Sequence, residues 1–300
     1  MKNKTSGRRI ALVLGGGGLR GGAHVGVLRV LEREGIRVGA LAGSSIGGLI
    51  SAVYAAGLSP EGIKDKLAAL EYRRLLREPS RAANALLGLQ GVESVLREVL
   101  GERTFEDLGI PLALTALDIR SGREVVLTKG SLVDAVMATI AIPGVFPSRQ
   151  YNGWELVDGG LSNPVPVQVA RDLAPGLPVV AVPLGPMPEL ETQTVQTGRS
   201  DLSSLPIPSP VMRFRLGQAF IAFTQAITLS GQIQGEFRLA TEKPDLIIRP
   251  VVADFGLLDA PDVEEVVRRG ETATEAALPR LRRLLRPAPL RMLGDWLGRE

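Results

Sequence analysis

The sequence predicts an α/β fold: a doubly wound, mostly parallel sheet with helices on both faces. Three observations point there. Short β-branched runs alternate with segments of helical spacing, the pattern of a parallel sheet covered on both sides. The 35 glycines among 300 residues exceed the usual share of about 7% and stand mostly at the joints, where the backbone must turn tightly. The chain is 45% hydrophobic but 4% aromatic, so it can bury a sizeable core of Ala, Val, Leu and Ile.

The elements follow in order. Arg9–Leu14 is a β-branched run stopped by glycines, hence a buried strand. Residues 22–34 place Val25, Leu28, Val30 and Leu31 at helical spacing with charges opposite, and Gly35 ends that helix. Residues 38–42 form a second strand and 46–56 a second helix. Ser59 and Pro60 are the N-cap and first residue of a third helix. Residues 111–116 and 124–127 are strands, 131–140 a helix capped by Ser131, and 156–157 a short strand. Asn163-Pro164 is expected to cap and open another helix. Late strands fall at 179–183 and 246–248, and 77–90 and 186–210 read as irregular, the second as a flap or a plain surface loop.

The organisation expected is a basic tail over 1–8, one domain over 9–278 and a basic segment over 279–300. Residues 278–293 carry Arg280, Arg282, Arg283, Arg286 and Arg291 among leucines, read either as a surface for anionic lipid or as a helix packed on the domain. Pro287 and Pro289 favour the second reading.

Net charge is +3 and the isoelectric point about 9.4. The basic residues are scattered, without the aromatic-interleaved patch of a nucleic-acid binder. The absence of cysteine excludes disulfides, thiolate metal sites and Cys catalysis; a single histidine excludes a His-rich metal site. No cofactor is implied. The apolar run 10–14 is too short for a signal-peptide core. The uncharged run 38–60 is long enough to mimic a membrane span, but Gly43–Gly47 interrupts it as a turn. A cytoplasmic location is expected, with peripheral membrane contact as a further option.

Gly15 to Gly18, Leu19, Arg20 and Gly21 lie between the first strand and first helix. Such a loop turns backbone N–H groups into one concavity that attracts negative charge. Gly16, Gly18 and Gly21 satisfy G-x-G-x-x-G, so a dinucleotide or anion site competes with an oxyanion hole for ester hydrolysis. The dinucleotide reading wants an acidic residue closing the second strand, and the chain has Ala42-Gly43-Ser44-Ser45 there. A glycine turn that only packs helix on strand is the plain alternative.

Gly43-Ser44-Ser45-Ile46-Gly47 is G-x-S-x-G at a strand-to-helix junction. That context puts Ser45 on a sharp turn with its hydroxyl exposed, and lets the N–H of Ile46 meet a developing oxyanion. Otherwise the serines would simply cap the helix. A serine nucleophile needs a base. The only histidine, His24, precedes Ser45 and lies in the first helix, where a satisfied structural histidine is the simpler reading. Asp158 follows a short strand and precedes Gly159-Gly160, at the end of a strand that faces the ligand crevice in such sheets; an ordinary Asp-Gly turn is the alternative. Asp118, in a polar turn, and Asp134, on a helix, are its rivals.

These residues resemble the patatin-like phospholipases, whose pattern is a G-x-G-x-x-G nest, a G-x-S-x-G elbow and a later D-G-[GA]. Here they are Gly16–Gly21, Gly43–Gly47 and Asp158–Gly160, with 141–147 (AIPGVFP) and 156–166 (LVDGGLSNPVP) also similar. The resemblance runs from about Arg9 to Pro183 and loosely to Leu258. It implies a three-layer fold and a Ser45–Asp158 dyad without histidine. It also implies an oxyanion held by N–H groups from Gly16 to Gly18 with Arg20 beside them. The implied reaction is two-step acyl transfer on a lipid ester. The alternatives are a nucleotide- or anion-binding module and a non-catalytic membrane-associated protein.

Overall fold

The computed structural model describes residues 8–69, 90–185, 210–255 and 262–286. Its strands are β1 (Arg9–Leu14), β2 (Arg37–Ser44), β3 (Leu112–Asp118), β4 (Glu124–Leu127), β5 (Arg149–Tyr151), β6 (Trp154–Asp158), β7 (Val179–Val182) and β8 (Leu246–Ile247). The helices are α1 (Gly22–Arg33), α2 (Ile46–Ala55), α3 (Pro60–Ala69), α4 (Gln90–Leu100), α5 (Leu132–Thr139), α6 (Val167–Leu173), α7 (Pro210–Glu242) and α8 (Val263–Leu284). The strands form one sheet of order β5-β6-β3-β2-β1-β7-β8, with β4 also on β3. The pairs β1–β2, β1–β7, β2–β3 and β7–β8 are parallel; β3–β4, β3–β6 and β5–β6 are antiparallel.

The two-residue period of a strand shows why both faces are covered. Ile10, Leu12 and Leu14 enter one core with Leu28 of α1, Ile50 of α2, Ile63 of α3 and Met137 of α5. Ala11 and Val13 enter the other with Val167 and Ala170 of α6 and Leu239 of α7. The sheet is therefore the middle of three layers, mostly parallel at its centre.

The caps follow the sequence. Gly35 takes φ 66° just past α1. Ser59 Oγ accepts the Gly62 N–H at 3.2 Å, and Ser131 Oγ accepts that of Asp134 at 3.3 Å. Three features differ from expectation. The helix expected at Asn163 begins at Val167: Val165 precedes Pro166 and is pushed out of helical geometry, while Asn163 sends its Nδ2 to Glu124 Oε1 at 2.8 Å. The strand β5, the helix α4, the long helix α7 and the first part of α8 had no counterpart in the sequence reading. And α8 crosses residue 278, where the domain was expected to give way to a basic segment; Leu281 beyond it is fully buried. The irregular stretches expected at 77–90 and 186–210 lie outside the described residues except Gln90 and Pro210, which open α4 and α7. The tail over 1–7 and residues beyond 286 are likewise outside.

The position of the site follows from how β3 shares its edges. Leu114, Thr115, Ala116 and Leu117 pair with β4. β2 pairs with Leu112 through Thr115, and β6 with Ala116 through Asp118. Both overlap residues that β4 already holds, so both must take the opposite edge. β2 runs with β3 and β6 runs against it, and their C-terminal ends meet head to head. Ser44 sits opposite Thr115 and Asp158 opposite Ala116, one residue further along.

Candidate active site

Ser45 occupies the turn from β2 into α2 with φ 53° and ψ −128°. A non-glycine residue there costs on the order of 1–3 kcal/mol and persists only if its surroundings hold it. Two things do. The Ser45 N–H donates to Thr139 Oγ1 at 2.9 Å, and that hydroxyl donates to the Thr115 carbonyl at 2.6 Å. Gly47, two residues on, packs against the carbonyls of Leu14 and Gly15. Thr139 is fully buried, so Thr139→Val should strand both an N–H and a carbonyl. We expect a loss of about 2 kcal/mol, read as a lower urea midpoint.

Asp158 is the last residue of β6. Its Oδ2 accepts the Ser45 hydroxyl at 2.6 Å and its Oδ1 accepts the Gly160 N–H at 2.7 Å, while its own N–H donates to Ala141 at 2.9 Å. At 5% exposed, burial pushes its carboxyl up to about 6, against the pull of the Ser45 hydroxyl and the Gly160 N–H. Burial wins because a charge leaving water loses more than two hydrogen bonds return. A hydroxyl bonded to a buried carboxylate with a raised pKa is an arrangement able to pass a proton.

The rivals are occupied elsewhere. Asp118 closes the β3–β4 turn: its Oδ2 accepts from the Ser121 hydroxyl at 2.6 Å and N–H at 2.9 Å, its Oδ1 from the Glu155 N–H at 3.1 Å. These bonds, led by the Ser121 hydroxyl, hold its carboxyl below the usual range. Asp134 stays in the first turn of α5. His24 is fully buried, with Nε2 2.8 Å from the Gly15 carbonyl, and burial lowers its pKa to about 4 although the Gly15 bond opposes this. The ring is neutral at physiological pH, donates from Nε2 and pins the glycine loop. No described hydrogen bond joins it to Ser45.

The glycine loop lies against the serine: a Cβ on Gly16 would stand 3.4 Å from that of Ser45. The Gly16 N–H, expected in the oxyanion hole, instead donates to the Pro164 carbonyl at 2.9 Å. An oxyanion role for it requires that bond to give way. Among the described residues, the N–H groups of Gly17 and Gly18 have no acceptor. Ile46 opens α2, so its N–H has no intrahelical partner. Arg20, at 4% exposed, donates from Nε to the Gly17 carbonyl at 3.0 Å and braces the loop from within. Of the motif glycines, Gly21 faces Ile46, Gly43 faces the backbone of Gly48, and Gly159 faces Thr115, each too closely for a side chain.

Ser45, Asp158, Gly16, Gly17, Gly18, Arg20 and Gly160 open on one cavity. Its far wall is helix α7, through Ile227, Thr228, Gly231, Gln232 and Gly235. The sequence reading missed that wall and missed Thr139. Gly231 and Gly235, four apart and so on one face of a helix, were the available signal for the wall; nothing marked Thr139. Among the described residues no three metal-ligating side chains come together.

A family model described as patatin-like phospholipase matches residues 12–171. An uncharacterized NTE family protein of Mycobacterium tuberculosis is 37% identical over 165 residues, covering 54% of this chain and 46% of that one. The human patatin-like phospholipase domain-containing protein 6 is 32% identical over 198 residues, covering 63% of this chain and 14% of that one. This chain thus aligns with half or less of the length of these relatives. The crystal structure of VipD from Legionella pneumophila superposes with a TM-score of 0.53 at 12% identity, over 91% of this chain and 67% of that one, a likeness of fold.

Proposed function

The chain belongs to the patatin-like phospholipase family, and from that premise we propose that it is a serine lipid acyl hydrolase in which Ser45 is the nucleophile and Asp158 its base. The observation that carries the reading is the 2.6 Å bond from the Ser45 hydroxyl to a buried carboxylate, beside unpaired loop N–H groups. Asp158 takes the proton as Ser45 Oγ attacks the ester carbonyl. The N–H groups of Gly17, Gly18 and Ile46 receive the oxyanion. Asp158 returns the proton to the leaving alcohol, and the acyl-serine forms. Water then enters, gives its proton to Asp158 and attacks the acyl carbon; the proton returns to Ser45 and the fatty acid leaves. The substrate class is fatty-acyl esters of (lyso)phospholipids or related lipids. The domain proposed to do this runs from Arg9 to the end of α8 at Leu284, and no cofactor is invoked.

A fluorophosphonate probe should label the protein, with the adduct on the peptide holding Ser45, and the protein should release fatty acid from phospholipid or lysophospholipid. Labelling elsewhere removes Ser45 from the role. The base must be ionised, and its pKa is raised. Below about pH 6 the rate kcat/KM should fall about tenfold per pH unit with a single ionisation. A flat profile between pH 4 and 7 contradicts Asp158 as the base.

A further inference from the structure

Helix α7 has two working faces. One walls the Ser45 cavity through Ile227, Gly231 and Gly235. At about 100° per residue, Leu229, Ile233 and Phe237 fall on the opposite side, and they are 52%, 71% and 67% exposed. Large apolar side chains stacked along one face and left in water mark an interaction surface rather than ordinary scatter.

Charge says what fits it. From Leu216 to Gly235 the chain has no charged residue, with Arg213 and Arg215 ahead of that run and exposed Lys243 just past the helix. The helix's acids are tied down: Glu236 by Arg249 at 2.6 and 3.0 Å, Glu242 by Arg238 at 2.8 Å. An apolar stripe on a stretch flanked in sequence by cations, with its acids paired, complements a bilayer with anionic headgroups, because apolar residues enter the acyl boundary while cations meet phosphates. Among the described residues no helix is long and apolar enough to cross a membrane, so the fit is to lying on the surface.

We propose that the outer face of α7 is the docking surface that seats this protein on an anionic lipid bilayer, with Leu229, Ile233 and Phe237 entering the acyl boundary. The inference rests on the acyl-hydrolase reading for its purpose: a helix embedded on one side and walling the nucleophile's cavity on the other brings the cavity to where the ester is. None of the three residues lines that cavity, so docking and chemistry are separable.

The test is co-sedimentation with equimolar phosphatidylglycerol and phosphatidylcholine vesicles, comparing the wild type with the double variant Ile233→Asp, Phe237→Asp. The variant should bind at least roughly tenfold less and release fatty acid from vesicles correspondingly slower. Its turnover of a soluble short-chain ester should be unchanged, which also reports an intact fold. Wild-type binding should weaken on raising salt or on removing the anionic lipid. Undiminished binding by the variant overturns the proposal. So does a wild-type dimer that the substitutions convert to monomer, which would give the stripe to a second copy. Vesicle binding lost in the variant, with neither ester cleaved by the wild type, upholds docking and instead sinks the hydrolase reading.

Discussion

Asp158→Asn should lower turnover by about 10³-fold or more and yet make the fold more stable at pH 8. The first effect follows from the geometry. Asparagine keeps the shape, its Oδ1 can still accept the Gly160 N–H, but it cannot take the Ser45 proton. The second follows from burial. In the fold the carboxyl titrates near 6; in the unfolded chain it titrates at its ordinary 3.8. A raised acid favours the folded state while protonated. That contribution is complete below pH 3.8, shrinks as pH rises, and is lost above about 6. At pH 8 the wild type therefore carries an ionised, buried carboxylate at a cost on the order of 2–3 kcal/mol. The neutral amide avoids it. Unfolding in urea at pH 8 should show the variant ahead by that order, and the gap should close by pH 4. A variant weaker than the wild type at pH 8 would mean the carboxylate is better solvated or paired than the structure shows.

Gly47→Ala should abolish activity and threaten the fold itself. A methyl group there would lie 2.5 Å from the carbonyl carbon of Leu14 and 2.6 Å from the carbonyl oxygen of Gly15, and closer still to the Leu14 oxygen. These are backbone atoms of a buried central strand and cannot rotate away. Helix α2 would have to back off from β1, at a cost on the order of 3 kcal/mol or more. Any shift carries Ser45 with it, because that residue is the first N-terminal neighbour of α2. A displacement of about 1 Å is enough to lose roughly 100-fold in rate. Urea unfolding and fluorophosphonate labelling together check this. A variant with wild-type midpoint and labelling would show that the elbow is looser than its packing implies.

Much of the fold was legible because its signals are local. The run Arg9–Leu14 is apolar at every position after the first, which is what burial on two faces requires. Gly35, Ser59 and Ser131 stop or start helices through their own backbone and side chains. The candidate pair Ser45 and Asp158 could be picked out because each stands at a strand's end with glycine within two residues. What failed was set by distant partners. Asn163 looked like a cap, but Glu124 draws its side chain away and Pro166 delays the helix. Strand β5 is three residues, Arg149–Tyr151, too short to show alternation. Helix α7 places Ile227 on the cavity side and Leu229, Ile233 and Phe237 on the outer side, so its apolar residues do not gather into the single stripe that betrays a surface helix. The engagement of the Gly16 N–H by Pro164 joins segments almost 150 residues apart, and no spacing rule reveals it.

The head-to-head meeting of β2 and β6 along β3 has a consequence for how this chain tolerates change. The hydroxyl and the carboxylate are 113 positions apart in sequence, yet both are measured off two adjacent residues, Thr115 and Ala116. Strand β3 acts as a common ruler. Length changes in loops that touch neither α2 nor the stretch from Thr139 to Ala141 would leave the pair in place. A single residue inserted within β3 would turn one partner to the other face of the sheet.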